Sequence, residues 1–138
     1  MPSTRLTDLD TALAHAWLGL REEWEAAHPG CRLVLTCTHR SIEEQQLLYQ
    51  VGRVYKRGIW ILDSDPATQI VTQLDGTPGR QSKHNLTPAQ ALDFYVELFG
   101  KPSWDPAQYM APGELAAKAG LIWGGGFSFR DYGHLEMA

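Results

Sequence analysis

The sequence predicts a small α+β domain. Its N-terminal segment has apolar residues at helical spacing, whereas residues 32–38 and 89–96 are short apolar runs typical of strands. With 138 residues, of which 43% are hydrophobic and 20% charged, the chain is long enough to bury a core without disulfides. Because it has neither repeats nor a linker-like stretch, we expect one domain over residues 1–138.

The first predicted element is an amphipathic helix over residues 7–27. Thr7 is its expected N-cap, and His28-Pro29-Gly30 should end it. The apolar residues that recur at helical spacing, and should therefore pack inward, are Leu9, Leu13, Ala16, Trp17, Leu20 and Trp24.

A strand over residues 32–38 and a second helix should follow. Ser41 and Glu44 have the spacing of a capping box, which predicts a helix to about residue 49 or 51. Arg40 therefore lies at a strand-to-helix junction, where loops often carry functional side chains. From its position alone, a structural salt bridge and a role in a binding site suit Arg40 equally well.

The two cysteines, Cys31 and Cys37, should be free thiols. They lie at the ends of one predicted strand, so their Cα atoms would be roughly 20 Å apart at about 3.3 Å per residue, too far for a disulfide. Their spacing fits neither a metal knuckle nor a redox pair. We expect neither to have a catalytic role.

The bulk charge and the N-terminus exclude two classes of protein. With 12 basic and 16 acidic residues and a formal charge of −4, the chain does not fit a nucleic-acid binder held by phosphate contacts. No stretch is long enough to span a membrane, and the first residues lack the apolar core of a signal peptide. We expect a protein made in the cytoplasm.

Residues 60–79 form a long mixed stretch, with an apolar patch, polar turns and a short predicted strand at 69–74. Asp75–Gly79 has the composition of a turn. A stretch of this length and irregularity is typical of a lid or the rim of a cleft.

The segment Ser82–Val96 holds a histidine and a carboxylate in close succession. His84 follows the turn-rich stretch, and Asp93 lies within the strand predicted for residues 89–96. Because alternate residues of a strand point to opposite faces, Asp93 points away from the apolar face formed by the even-numbered residues. A carboxylate buried there is costly unless a cation or several donors meet it.

The C-terminal part predicts a helix over residues 105–120, kinked or divided at Pro112-Gly113, and a final strand over residues 133–137. Three successive glycines at 124–126 indicate that the backbone passes close to another part of the molecule. His134 lies in the final strand, with Asp131 three residues before it.

His84, Asp93 and His134 are together a candidate for an open zinc site, because a catalytic zinc typically takes three protein ligands and leaves a fourth position for water. Asp131 is the candidate base for that water. The chain must then turn between Asp131 and His134, and Gly133 should permit this through a positive φ.

Other interpretations of these residues stay open. Asp93 could be held by backbone amides or an arginine. Glu136 shares a strand face with His134 and is the second candidate for the base, for a ligand or for a supporting partner, although a solvated terminal glutamate fits equally well.

Several motifs occur in the order and spacing of a known enzyme family. They are the S-x-H…D element of Ser82–Asp93, the D-x-x-H element of Asp131–His134, the segment Thr38–Tyr49 followed by Gly52-Arg53, and Ile122–Gly125. Together they resemble the zinc D-Ala-D-Ala carboxypeptidase and L-alanyl-D-glutamate endopeptidase family, peptidase M15. This family includes VanY-type and VanX-type enzymes and many phage endolysins.

The resemblance implies a Hedgehog/D-Ala-D-Ala-peptidase-like fold, in which a small, mostly antiparallel sheet is flanked by helices. It implies Zn²⁺ as the cofactor, with His84, Asp93 and His134 as ligands, and Asp131 as the catalytic base.

The same resemblance assigns roles to three residues of the cleft. Arg40 matches an arginine that contacts the substrate and stabilises the developing oxyanion, a task that suits a fixed guanidinium. Ser82 and Gln45 match positions that support substrate binding. The implied substrate is the stem peptide of peptidoglycan.

Three departures from the common pattern are visible. Eight residues, Asn85–Leu92, separate His84 from Asp93 where six are usual, and this longer form resembles phage-type members. Gly126-Phe127 replaces an Asp and an aromatic residue after the W-G-G motif. His39 replaces a tyrosine, and we expect it to line the cleft.

The leading hypothesis is a phage or prophage endolysin that cleaves the L-Ala–D-Glu bond of stem peptides. It would be made in the host cytoplasm, reach the wall with the help of a holin and act there as a monomer. The alternatives are a D-Ala-D-Ala carboxypeptidase or dipeptidase of the same fold and a non-catalytic module that binds the cell wall.

Overall fold

A computed structural model describes residues 2–51, 53–56, 58–62 and 71–138. The α-helices formed by these residues are α1 (Thr11–Ala27), α2 (Ile42–Gln50) and α3 (Met110–Lys118). The strands are β1 (Cys31–Cys37), β2 (Arg53–Lys56), β3 (Ile59–Leu62), β4 (Ala91–Leu98), β5 (Lys101–Ser103), β6 (Leu121–Trp123) and β7 (His134–Met137). Short 3₁₀ turns form at Leu6–Asp8, Lys83–Asn85, Pro106–Tyr109 and Gly124–Gly126.

The strands form a five-stranded antiparallel sheet and a separate hairpin. In the sheet the order is β1-β4-β7-β6, with β5 also paired to β4, while β2 and β3 pair with each other. This confirms the predicted α+β class with an antiparallel sheet and flanking helices. Strand β4 is the central element because it pairs with three other strands.

The core lies between α1, α3 and one face of the sheet. Leu92, Phe94 and Val96 of β4 are almost completely buried there, as the alternation predicted, and they pack on the apolar stripe of α1. The Trp17 and Phe94 rings lie 5.4 Å apart, and Phe94 and Tyr109 lie 5.6 Å apart. The opposite face of β4 is therefore free to carry polar side chains.

The first helix begins later than predicted. Asp10, not Thr7, is its N-cap, because the Asp10 carboxylate accepts a hydrogen bond from the Ala12 amide at 2.9 Å. Thr7 lies in the preceding 3₁₀ turn. The capping box of Ser41 and Glu44 at the start of α2 is confirmed, with both reciprocal hydrogen bonds present.

The helix predicted for residues 105–120 is divided, but not at Pro112. A 3₁₀ turn passes into α3 at Met110, and Pro112 lies in the first turn of α3, where no intrahelical partner for an amide is required. Gly120 ends the helix with φ +83°, as predicted.

Part of the strand predicted at residues 69–74 lies outside the described residues, and residues 71–74 are not in a strand. Both cysteines are free and buried, as predicted. Of the helices formed by the described residues, none has the length and apolar character required to cross a bilayer.

Candidate active site

The register of the sheet brings the predicted ligands together. Asp93 on β4 is paired directly with His134 on β7, and on its other side with Cys37 on β1, next to a bulge. His84 lies in the short 3₁₀ turn of residues 83–85, where the Ser82 hydroxyl accepts a hydrogen bond from the His84 amide at 3.2 Å. Residues distant in the chain thus converge on the Asp93 carboxylate.

Both histidines contact the same oxygen of Asp93. The Nε2 atom of His84 lies 3.1 Å from Asp93 Oδ1, and the Nδ1 atom of His134 lies 2.9 Å from it. Both imidazoles are buried, and their centroids are 5.3 Å apart. Two ring nitrogens therefore converge on one carboxylate oxygen on the polar face of the sheet.

The remaining ring nitrogens face acceptors. His84 Nδ1 lies 2.8 Å from the Thr38 carbonyl oxygen, and His134 Nε2 lies 2.9 Å from Glu136 Oε1. A carbonyl and a carboxylate can only accept, so each of these nitrogens carries a proton and donates. In a neutral imidazole the other ring nitrogen, which faces Asp93, then carries a lone pair.

This donor set fits a zinc ion. Three acceptors that converge repel one another unless a cation or protons lie among them, and metal-binding histidines usually donate their second ring nitrogen to a carbonyl or carboxylate, as both do here. Two imidazoles and one carboxylate also match the ligand types of open zinc sites. His84, Asp93 and His134 would therefore hold the metal.

The pKa values of His84, Asp93 and His134 also indicate that positive charge is favoured at this site. Although burial alone lowers it, hydrogen bonds with Asp93 and Cys37 raise the pKa of His84 to about 10. Burial also opposes the rise at His134, but its bonds to Asp93 and Glu136 raise its pKa to about 9. Burial raises the pKa of Asp93, whereas the two histidines outweigh this and hold it far below its usual range.

Asp131 lies beside this point and faces the cleft. Its Oδ2 is 3.9 Å from His134 Nδ1, and 55% of its side-chain surface is accessible. Desolvation by the cleft walls and then the charge of Asp93 raise the pKa of Asp131. A carboxylate with a raised pKa near a metal position is suited to accept a proton.

The turn between Asp131 and His134 forms without the predicted positive φ at Gly133, because Gly133 is not one of the glycines with a positive φ. The His134 amide donates to the Asp131 carbonyl at 3.3 Å, and Gly133 is needed for close packing, because a Cβ there would lie 2.4 Å from the Phe94 carbonyl oxygen. Gly124 packs similarly, with a Cβ only 2.3 Å from the Asp131 carbonyl. The close approach predicted for the glycine run is confirmed.

Arg40 forms an ion pair with Asp93, which confirms the salt-bridge interpretation, and its role in substrate binding stays a prediction. Its Nη2 lies 3.3 Å from Asp93 Oδ2, and its Nη1 donates to Gln45 Oε1 at 2.8 Å. Gln45 is fully buried and donates onward to the Leu74 carbonyl at 2.8 Å. The guanidinium is thus fixed at the edge of the site, while Gln45 ties it to the segment of residues 71–74.

A cleft of about 710 Å³ opens over these residues. Its wall contains all the predicted site residues except Gln45, which lies behind Arg40. The other lining residues are Leu48, residues 71–74, Gln81, Lys83, residues 127–130 and Glu136. The prediction that residues 60–79 contribute a rim is confirmed for residues 71–74, whereas His39 is not among the described lining residues and contacts Thr87 instead.

Sequence reasoning missed two neighbours of the ligands. Cys37, set aside because of its spacing, forms one acid-histidine cluster with His84 and Asp93, and Asp93 forms a second with Asp131 and His134. Cys37 Sγ lies 3.6 Å from His84 Nδ1, behind the ring. Lys83, adjacent to His84, contacts Glu136 at 2.8 Å. Only the bulge of β1 and the register of β7 create these contacts, so no local motif indicated them.

Known proteins share the part of the chain that carries the candidate site. Residues 75–137 match the family model Peptidase_M15_4, described as D-alanyl-D-alanine carboxypeptidase. The chain is 33% identical over 123 residues to the peptidoglycan L-alanyl-D-glutamate endopeptidase CwlK of Bacillus subtilis, a match that includes 81% of this chain. These matches make the chain similar to peptidases of the M15 family. It spans 64% of the length of that curated relative.

The fold agrees with this similarity. The chain superposes on the crystal structure of the Serratia marcescens L-Ala D-Glu endopeptidase ChiX with a TM-score of 0.61 at 17% identity, covering 100% of this chain and 90% of the other. The match shows that this chain has the same α+β fold. The roles of its individual site residues stay predictions.

Proposed function

We propose that this protein is an M15-type, zinc-dependent endopeptidase that cleaves the L-Ala–D-Glu bond of peptidoglycan stem peptides. The observation that carries the proposal is the convergence of His84, Asp93 and His134 beside Asp131 in one cleft. The similarity to the endopeptidase CwlK supports this choice of bond.

The residues of the cleft would divide the chemistry among them. Zinc, when held by the two histidines and Asp93, supplies Lewis-acid polarisation of the scissile carbonyl and a lowered pKa of water. The Asp131 carboxylate accepts the proton of the attacking water and returns it to the leaving amine. The Arg40 guanidinium, fixed by Gln45, stabilises negative charge on the carbonyl oxygen.

The endolysin role is part of this proposal. The longer spacing between His84 and Asp93 resembles phage-type members, which supports the endolysin role. In this proposal the protein is made in the bacterial cytoplasm, is released with the help of a holin and acts on the wall as a monomer. Induced lysis in a host with and without a holin tests this role: lysis should require the holin, and equal lysis without it would contradict the proposed route.

The test of the activity is mass spectrometry of purified peptidoglycan digested with the zinc-loaded protein. New L-Ala carboxyl ends and D-Glu amino ends are expected, and they should be absent with His84→Ala protein that remains folded by circular dichroism. Unchanged cleavage by that variant would contradict the assignment of the site.

The second candidate is a D-Ala-D-Ala carboxypeptidase, which the description of the matching family model favours. In the same digest it would release terminal D-Ala and leave the L-Ala–D-Glu bond intact. A protein that binds peptidoglycan and zinc but cleaves neither bond would instead be the wall-binding module.

A further inference from the structure

We infer that Glu136 and Lys83 form a positioning pair that orients His134 for metal binding and ties it to the segment that carries His84. The inference rests on the metal site of the proposed function. It assigns to Glu136 one of the three roles that the sequence left open, that of a supporting partner of a ligand.

The first step is the contact between Glu136 and His134. The two residues are two positions apart on β7 and therefore point to the same face. Glu136 Oε1 accepts a hydrogen bond from His134 Nε2 at 2.9 Å, and the side chains of Glu136 and His134 are 18% and 10% exposed. The contact is thus largely shielded from water, which strengthens a charge-assisted hydrogen bond.

This bond determines which nitrogen of His134 faces Asp93. With Nε2 protonated and held by Glu136, the lone pair of the neutral ring lies on Nδ1, the atom 2.9 Å from Asp93 Oδ1. The carboxylate also fixes the rotation of the ring and makes Nδ1 more basic. The Thr38 carbonyl orients His84 in the same way, by accepting a hydrogen bond from its Nδ1. The two candidate ligands are thus held by different kinds of acceptor.

Lys83 occupies the second oxygen of Glu136. Its Nζ lies 2.8 Å from Glu136 Oε2 and also donates to the Met137 carbonyl. With one oxygen held by His134 and the other by Lys83, the carboxylate cannot rotate toward the metal position without losing a partner. A role of Glu136 as base or as a direct ligand is therefore disfavoured, and Asp131 keeps the role of base.

The pair also connects the two ligand-bearing segments. Lys83 directly precedes His84 in its 3₁₀ turn, and Glu136 is on the strand of His134. The Lys83–Glu136 contact therefore gives these two segments a second connection, in addition to the contacts of both histidines with Asp93. Loss of either partner should loosen both ligands relative to each other.

The experiment is zinc affinity, measured without substrate by competition with a chromogenic chelator, for Glu136→Ala, Glu136→Gln and Lys83→Met. Glu136→Ala should weaken zinc binding by about 10–100-fold, the usual effect of removing the partner of a ligating histidine. Glu136→Gln keeps an acceptor for Nε2 and should recover most of this loss. Lys83→Met should weaken binding less, and the Lys83→Met/Glu136→Ala double variant no more than Glu136→Ala alone.

Glu97→Gln is the matched control. Glu97 is also a strand glutamate in contact with a cation, Arg32 at 2.9 Å, but it lies outside the cleft lining. This variant should bind zinc as wild type does. The absorption spectrum of the cobalt-substituted protein gives a second readout, because a rotated His134 changes the ligand field, whereas a mere loss of stability leaves it unaltered.

The inference is overturned if folded Glu136→Ala protein binds zinc with wild-type affinity, or if Glu136→Gln is as weak as Glu136→Ala. Additive effects of Lys83 and Glu136 would overturn the claim that they act as a pair. Wild-type protein that binds zinc but cleaves no stem peptide would contradict the proposed peptidase function and leave this inference standing. Protein that binds no zinc would overturn both.

Discussion

The two faces of strand β4 are built on different physical principles. On one face Leu92, Phe94 and Val96 are almost completely buried against α1 and the Tyr109 ring. On the other face Asp93 meets two histidines and an arginine through directional contacts of 2.9–3.3 Å. The same eight-residue strand thus contributes both to the core and to the candidate active site.

The comparison teaches what each face requires. Apolar packing is non-directional, so a side chain of similar size and shape can replace another at modest cost. The polar face requires a specific partner for each donor and acceptor, because an unpaired buried group is expensive. Substitutions on the first face should therefore change stability, and those on the second should change metal binding and catalysis.

The largest effect should come from Asp131→Asn. Asparagine keeps the shape of the side chain but cannot accept the proton, so stem-peptide cleavage should fall by about 10²–10⁴-fold, with zinc affinity close to that of wild type. The measurement is the initial rate of appearance of new amino ends. Asp105→Asn, at a helix N-cap remote from the cleft, keeps an acceptor and should retain full activity. A fully active Asp131→Asn protein would exclude Asp131 as the base.

Leu92→Ala tests the apolar face. Leu92 is completely buried, and truncation of such a side chain costs about 2–5 kcal/mol in the free energy of unfolding. Urea denaturation of the metal-free protein should show this loss, while the folded fraction keeps its zinc affinity. If Leu92→Ala reduced zinc affinity without reducing stability, the two faces would not be separable.

Gly133→Ala tests the link between the faces. The new Cβ would lie 2.4 Å from the Phe94 carbonyl oxygen, so β7 must shift away from β4. We expect a loss of about 1–3 kcal/mol in stability, typical of overpacking, together with weaker zinc binding, because Asp93 and His134 are held by that register. Gly126→Ala is the control, since a Cβ there meets nothing within 4 Å. Equal behaviour of the two variants would refute the argument.

The last expected effect is a pH dependence of stability that is steeper for the metal-free protein. The pKa values of His84 and His134 are raised from 6.5 to about 10 and about 9. Their ion pairs with Asp93 therefore stabilise the fold fully below about pH 6.5, and this stabilisation is lost as the pH rises through 9 and 10. Thermal unfolding from pH 6 to 10 should show a steeper loss for metal-free than for zinc-loaded protein. If stability fell equally with pH in the metal-free and the zinc-loaded protein, His84 and His134 would not be the groups that bind zinc.

Much of the site could be predicted from residue types and their order. The motifs around His84, Asp93, Asp131 and His134 identified four residues that the structure brings into one cleft. Strand alternation correctly placed Asp93 on the face opposite to Leu92, Phe94 and Val96. The N-cap of α1 was misplaced at Thr7 because Thr7 and Asp10 are both acceptable caps by type, and only the hydrogen bond to Ala12 distinguishes them.

Residue type and local periodicity are enough to predict the fold class, the apolar face of β4 and the identity of the candidate ligands. Three other features depend on contacts between distant segments: Cys37 lies behind His84, Gly133 serves close packing rather than a positive φ, and Lys83 contacts Glu136. The two side-chain contacts join residues 47 and 53 positions apart, and the close packing of Gly133 arises where two strands meet. They depend on sheet register, a property of paired strands that no single segment contains.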